Sequence, residues 1–92
     1  MRITVEYTAH LKRAVGTGVE ELEVEDSSGI SELIETVLAL HGKKLRNQIL
    51  NAQGDLHPSV IVAVNGEQVY LESGKQLREG DAVVLLAAIA GG

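Results

Sequence analysis

In 92 residues the chain sets 8 Lys and Arg against 13 Asp and Glu, a net charge of −5, with no cysteine and only two aromatic side chains, Tyr7 and Tyr70. Without cysteine there are no disulfides, thiolate metal sites or thiol nucleophiles. The acidic balance and the lack of stacking rings argue against a nucleic-acid reader. A chain of this length buries one modest core, here an aliphatic one, so a single domain over residues 1–92 is expected. No run approaches the ~20 apolar residues of a membrane span, and the alternating N-terminal segment does not read as a signal peptide. The expected location is the cytoplasm, with no membrane partner.

In chain order, Ile3, Val5 and Tyr7 alternate with Arg2, Thr4, Glu6 and Thr8, the period of a half-buried strand over 2–8. Residues 9–18 contain Gly16 and Gly18 and read as a loop. A second alternation, Glu21-Leu22-Glu23-Val24-Glu25, predicts a strand over 19–25. Its carboxylate face suits a sheet edge, because repelling charges discourage a further strand from adding there. The acids Glu20, Glu21, Glu23, Glu25 and Asp26 are better read as a solvated edge than as a metal site, since carboxylates along one strand face diverge.

Ser28 or Gly29 starts a helix over 30–41, with Glu32 and Glu35 in its early turns and Gly42 at its end. Ile30, Leu33, Ile34, Val37 and Leu38 form its apolar stripe. His41 falls in the last turn, where capping or partial burial is the expected role. His10 and His57 lie in loops without a second ligand at metal spacing, so no metal site is assigned. A short helix follows over 44–50; Lys43, Lys44 and Arg46 at its start read as surface charge rather than an anion site.

Pro58 precedes a strand over 60–64, and Asn65-Gly66 is a strong hairpin signal that returns the chain as a short strand over 67–70. Gly80-Asp81 marks a turn before AVVLLAAIA, apolar from Ala82 to Ala90. Such a strand is covered on both faces, or has one face that waits for a partner. One helix with a single apolar stripe covers one face, so the other is expected to be an interaction surface. Alternation alone leaves open whether Val60, Val62 and Val64 or Ile61 and Ala63 face outward, and whether Val83 and Leu85 or Val84 and Leu86 do. The expected partner-binding set is Val60, Val62, Val64, Val84, Leu86, Ala88 and Ala90.

The sequence finishes Ala90-Gly91-Gly92. Two glycines without Cβ atoms thread channels closed to larger residues. A terminal carboxylate has a pKa of roughly 3.3–3.7 and is a poor electrophile when ionised, so chemistry at Gly92 needs activation from outside. Residues 88–92, extended at ~3.3–3.6 Å each, reach about 17 Å, enough to enter an active site buried in another protein.

Val64-Asn65-Gly66, Gly80-Asp81 with its apolar strand, and Gly91-Gly92, taken with the order of elements, resemble the ThiS/MoaD-type sulfur-carrier family, which includes the molybdopterin synthase small subunit and the thiamine-pathway carrier. The resemblance spans nearly the whole chain. It implies an α+β, ubiquitin-like β-grasp fold: a mixed five-stranded sheet, one main helix on one face, the first and last strands parallel at the centre, and residues 90–92 as a flexible reactive tail. It also implies a non-catalytic carrier that binds no cofactor. ATP is used by a ubiquitin-activating-type adenylyltransferase that activates Gly92, a sulfurtransferase supplies sulfur, and an acceptor such as the molybdopterin synthase large subunit receives it. Residues 43–58 are an insert that favours the molybdopterin branch or the carriers for cysteine synthesis over the shorter thiamine carriers. Ala87-Ala88 stands where molybdopterin small subunits often have proline. The alternatives are a carrier for cysteine or thiamine biosynthesis, a ubiquitin-like protein modifier using the same activated glycine, or a β-grasp interaction module that is never activated.

Overall fold

The computed structural model describes residues 1–87. Its elements are β1 (Arg2–Tyr7), α1 (Ala9–Val15), β2 (Val19–Glu23), α2 (Ile30–His41), α3 (Lys43–Ile49), β3 (Val60–Val64), β4 (Glu67–Val69), a 3₁₀ turn at Leu71–Ser73, and β5 (Ala82–Ala87). The strands form one sheet in the order β2-β1-β5-β3-β4. β1 and β5 are parallel, from Thr4 opposite Ala82 to Tyr7 opposite Leu85, and the other neighbours are antiparallel. The parallel first and last strands are therefore as the sequence resemblance implied. β2 lies at an edge, where the exposed Glu21 and Glu23 are solvated.

All the buried aliphatic side chains lie between the sheet and the helices. Ile3, Val5 and Tyr7 of β1 and Val83 and Leu85 of β5 meet Leu33 and Val37 of α2 and Leu45 and Ile49 of α3 in one core. Gly29 caps α2 through its backbone: its N–H donates to Glu32 Oε1 at 2.6 Å. A Cβ at this position would come within 3.3 Å of the Lys75 carbonyl, so any larger residue at 29 would have to push the connection from β4 to β5 slightly away from the helix start.

Residues 9–18 correct the sequence expectation, because α1 occupies the place of a loop. Ala9 to Val15 hold good helix formers. Thr8 is extended, Leu11 is fully buried, and Gly16 at φ 93° ends the helix with its N–H on the Lys12 carbonyl at 2.8 Å. Gly16 is thus a helix stop, and reading it as part of a continuous loop hid the roughly two turns before it.

Asn65 (φ 50°) and Gly66 (φ 87°) form the expected tight hairpin between β3 and β4. The Asn65 side chain also ties that hairpin to β5: its Oδ1 accepts from the Ala82 N–H, and its Nδ2 donates to Asp81 Oδ1, each at 2.9 Å. Desolvation pushes the Asp81 carboxyl up. Hydrogen bonds from the Arg78 N–H and Asn65, with the charges of Lys75 and Arg78, outweigh it and hold the pKa below the ordinary 3.8. A carboxyl with a lowered native pKa adds stability above its unfolded value, and that stability disappears as pH falls through the native one. Asn65→Ala is expected to cost about 2 kcal/mol, from two lost hydrogen bonds and a left-handed backbone without the residue that tolerates it. Urea midpoints at pH 7 and pH 3 are the measurement, with the difference between variant and parent narrowing in acid.

Candidate functional site

β5 is apolar throughout, but its faces differ. Val83, Leu85 and Ala87 are buried under the helices, whereas Val84 is half-buried and Leu86 is 37% exposed on the other face. The antiparallel register with β3 sets Ala63 opposite Val84 and Ile61 opposite Leu86. Cross-strand partners point to the same side of a sheet, so Ile61, Ala63, Val84 and Leu86 make one apolar strip on the face away from the helices. Thr4 and Glu6 of β1 border it on one side and Gln68 of β4 on the other. Beyond Ile61 the strip opens into a shallow cleft of about 200 Å³ lined by Pro58, Gln68, Tyr70 and Leu71 among others. Tyr70 and Leu71 are both exposed there.

This geometry corrects three of the seven residues of the expected partner-binding set. Val60, Val62 and Val64 are buried against the helices and lie on the other face from the strip, although Val60 and Val62 also border the cleft beside it. They are registered with Ala87, Leu85 and Val83, the covered residues of β5. Val84 and Leu86 do face outward, joined by Ile61 and Ala63. Ala88, Ala90, Gly91 and Gly92 lie outside the described residues.

The place where the chain passes from β5 into residues 88–92 is nonetheless defined. Ala87 is paired with Val60 at the start of β3. Next to it, the Thr8 N–H donates to the Leu85 carbonyl at 3.3 Å, so α1 begins beside the end of β5. α3 is tied to the same end of the sheet, because the His57 N–H donates to the Ile49 carbonyl at 2.7 Å just before β3 begins.

A polar cluster lies on the core side of this end. Glu20 Oε2 accepts from the Tyr7 hydroxyl and from His41 Nε2, the latter at 2.6 Å, and the rings of Tyr7 and His41 meet edge to face at 5.9 Å. Glu20 faces inward because it sits two residues before the buried Leu22, so it is no part of the solvated acidic edge expected from the sequence. Burial, with the hydrogen bond and the charge of Glu20, pushes the Tyr7 hydroxyl pKa far above its ordinary 10.0. His41 takes up the partial burial expected of it, fastening the C-terminal end of α2 to β2. The one signal in the alternation of 19–25 that sets Glu20 apart from Glu21 and Glu23 is its even spacing from the apolar Leu22.

Among the described residues no three His, Asp or Glu side chains are placed to hold a metal ion, and no helix is long and apolar enough to cross a membrane.

The sequence profile of the ThiS family matches residues 5–92. A search of curated proteins returns no match. Among solved structures, SAMP1 from Haloferax volcanii superposes with a TM-score of 0.89 at 21% identity over 100% of both chains. Urm1 from Trypanosoma brucei gives 0.76 at 21%, covering 99% of this chain and 95% of its own. A chain of the BexX/CysO complex of Amycolatopsis orientalis gives 0.71 at 26%, covering 98% of this chain and 99% of that one. The first two likenesses speak for the ubiquitin-like β-grasp fold, and the profile match, which runs from β1 through Gly92, speaks for the family. The chain belongs to the ThiS family of ubiquitin-like sulfur carriers and modifiers.

Proposed function

We propose that this protein is a sulfur carrier whose working group is the carboxylate of Gly92. A ubiquitin-activating-type adenylyltransferase joins that carboxylate to the α-phosphate of ATP and releases pyrophosphate. The outer sulfur of a sulfurtransferase persulfide then attacks the adenylate carbonyl and displaces AMP, and a second thiol of the partners cleaves the resulting acyl disulfide, forming a disulfide between partner sulfurs and leaving a thiocarboxylate that an acceptor enzyme uses as its sulfur source. The match of the family profile through Gly91 and Gly92 carries this reading. The chain supplies a docking surface and a slender end without Cβ atoms, and the acids, bases and cations of each step belong to the partners. ATP binds the activating partner and not this chain.

The acceptor proposed is of the molybdopterin synthase large-subunit type; the inserted segment 43–58, most of which forms α3 and its connection to β3, speaks against the shorter thiamine carriers and suits carriers for cysteine synthesis as well. The likeness to a chain of the BexX/CysO complex favours a second reading, a carrier for a different pathway.

Two measurements test the chemistry. Incubated with ATP, a sulfur donor and the activating partner from its host, the chain is expected to show the mass change of one oxygen replaced by sulfur at Gly92; conjugates on target lysines would instead make it chiefly a modifier. A chain ending at Gly91 moves the reacting carbonyl by ~3.5 Å and is expected to lose ATP–pyrophosphate exchange by about 100-fold or more, because small misplacements of a reacting atom carry penalties of that order. Full exchange from the shortened chain overturns the assignment.

A further inference from the structure

Five of the eight Lys and Arg residues sit on two short helices, Lys12 and Arg13 on α1 and Lys43, Lys44 and Arg46 on α3. Neither helix carries an acid, all five side chains are exposed, and among the described residues none of the five forms an ion pair. α1 and α3 pack together, and both are tied to the end of the sheet where Ala87 leads into residues 88–92. The far end of the sheet has the opposite character. A broad cleft of about 820 Å³ there is lined by Glu23, Glu25, Asp26, Glu32 and Glu35. Five of the eight cations of a chain of net charge −5 thus sit on the two helices at the end where Ala87 leads into residues 88–92.

Lys12, Arg13 and Arg46 lie in last helical turns, where the dipole favours cations, but the start of α3 holds two that it does not favour. Lys43 and Lys44 are the first two residues of the helix, and its first turn has no acid. The helix dipole is positive there, so each cation costs about 0.3–1 kcal/mol relative to an acid. Neither lysine recovers that cost through an ion pair among the described residues.

We infer that the α1/α3 end is an electropositive docking surface for an acidic protein surface, the rim of the channel through which a partner admits residues 88–92. This rests on the carrier reading above. A partner that takes in the segment following Ala87 must lie against the surface around Ala87, which is continuous with the apolar strip of Val84 and Leu86. The cations are carried by α1 and α3, the two helices tied to the same end of the sheet. An acidic rim attracts this end and repels the carboxylates of the far end, so the carrier arrives with its reactive end foremost. Paired charges at the edge of an interface act chiefly on association rate and are screened by salt.

The test compares two double variants that shift the net charge equally. Lys43→Gln with Lys44→Gln removes two charges beside the exit, whereas Ser31→Glu with Gln76→Glu adds two acids at exposed positions near the far cleft. ATP–pyrophosphate exchange with the host's activating partner is measured against carrier concentration at low and high salt. The lysine pair is expected to lower kcat/KM by roughly 3–10-fold at low salt with kcat unchanged, and to converge on the parent at about 0.5 M salt. The far-end pair is expected to leave kcat/KM within about twofold of the parent. Equal rates for the two variants, or a deficit that survives high salt, overturn the inference. Binding of a single-stranded RNA oligonucleotide by the parent, lost in the lysine pair, overturns it too, by assigning the cations to a nucleic acid. A parent chain that supports no exchange defeats the carrier reading itself, whereas an active parent with an equally fast lysine pair defeats the docking surface alone.

Discussion

Leu86→Asp is expected to abolish complex formation with the activating partner while leaving the fold intact, and Leu85→Asp, one residue away, to unfold the protein. Leu86 is 37% exposed in the middle of the apolar strip and Leu85 is fully buried in the core. A carboxylate on the strip stays hydrated in the free carrier and loses that hydration only when a partner covers it. Central apolar residues of an interface are typically worth 2 kcal/mol or more, so binding should weaken by at least about 30-fold. At position 85 the same carboxylate has no water and no cation near it. Its desolvation amounts to several kcal/mol on top of the lost packing, against a total stability of ~5–15 kcal/mol for a typical domain. Circular dichroism and titration calorimetry on the pair separate the outcomes. Normal binding by a folded Leu86→Asp chain would show that the strip is not the interface.

The second large effect is expected at Glu20. Glu20→Ala removes the acceptor shared by the Tyr7 hydroxyl and His41 Nε2 and leaves two partly buried donors without a partner. The expected cost is about 1–3 kcal/mol, a fall in Tm on the order of 5–20 °C for a domain of this size. Tyr7→Phe removes one donor and leaves Glu20 bound to His41, so the loss should be nearer 1 kcal/mol at neutral pH. The two differ again in alkali. The native pKa of Tyr7 is raised, so its contribution is present below the ordinary value of 10.0 and is lost as pH rises beyond it, where the unfolded chain releases the proton and the native one retains it. Tyr7→Phe should flatten that decline, and thermal melts between pH 8 and pH 11 measure it.

The legible parts of this fold are those where a residue type has one structural use. Asn65-Gly66 closed a hairpin because both residues tolerate positive φ, and the carboxylates at 21 and 23 placed β2 at an edge. The apolar strands gave no such marker. In VIVAV and AVVLLA every residue suits either side, and the expected outer set joined Val60, Val62 and Val64 to Val84 and Leu86, which the register places on opposite faces. The clue lay in β1, whose strict alternation marks Val5 and Tyr7 as inward. Their parallel partners Val83 and Leu85 share that side, and the remaining assignments follow by parity. Glu20 stayed hidden because its acceptor role depends on Tyr7 and His41, which only the tertiary fold brings together.

Thr4 of the first strand pairs with Ala82 of the last, and among the described strands β5 alone joins the β2-β1 ribbon to the β3-β4 ribbon. Two-stranded ribbons are marginal in water by themselves. During synthesis, the folded body therefore cannot assemble until β5 has left the ribosome, and closure across nearly the whole chain is a slow step for so small a domain. A chain interrupted before β5 lacks the core it would need to escape proteolysis, so the pool of folded chains is a pool of chains with their last strand in place.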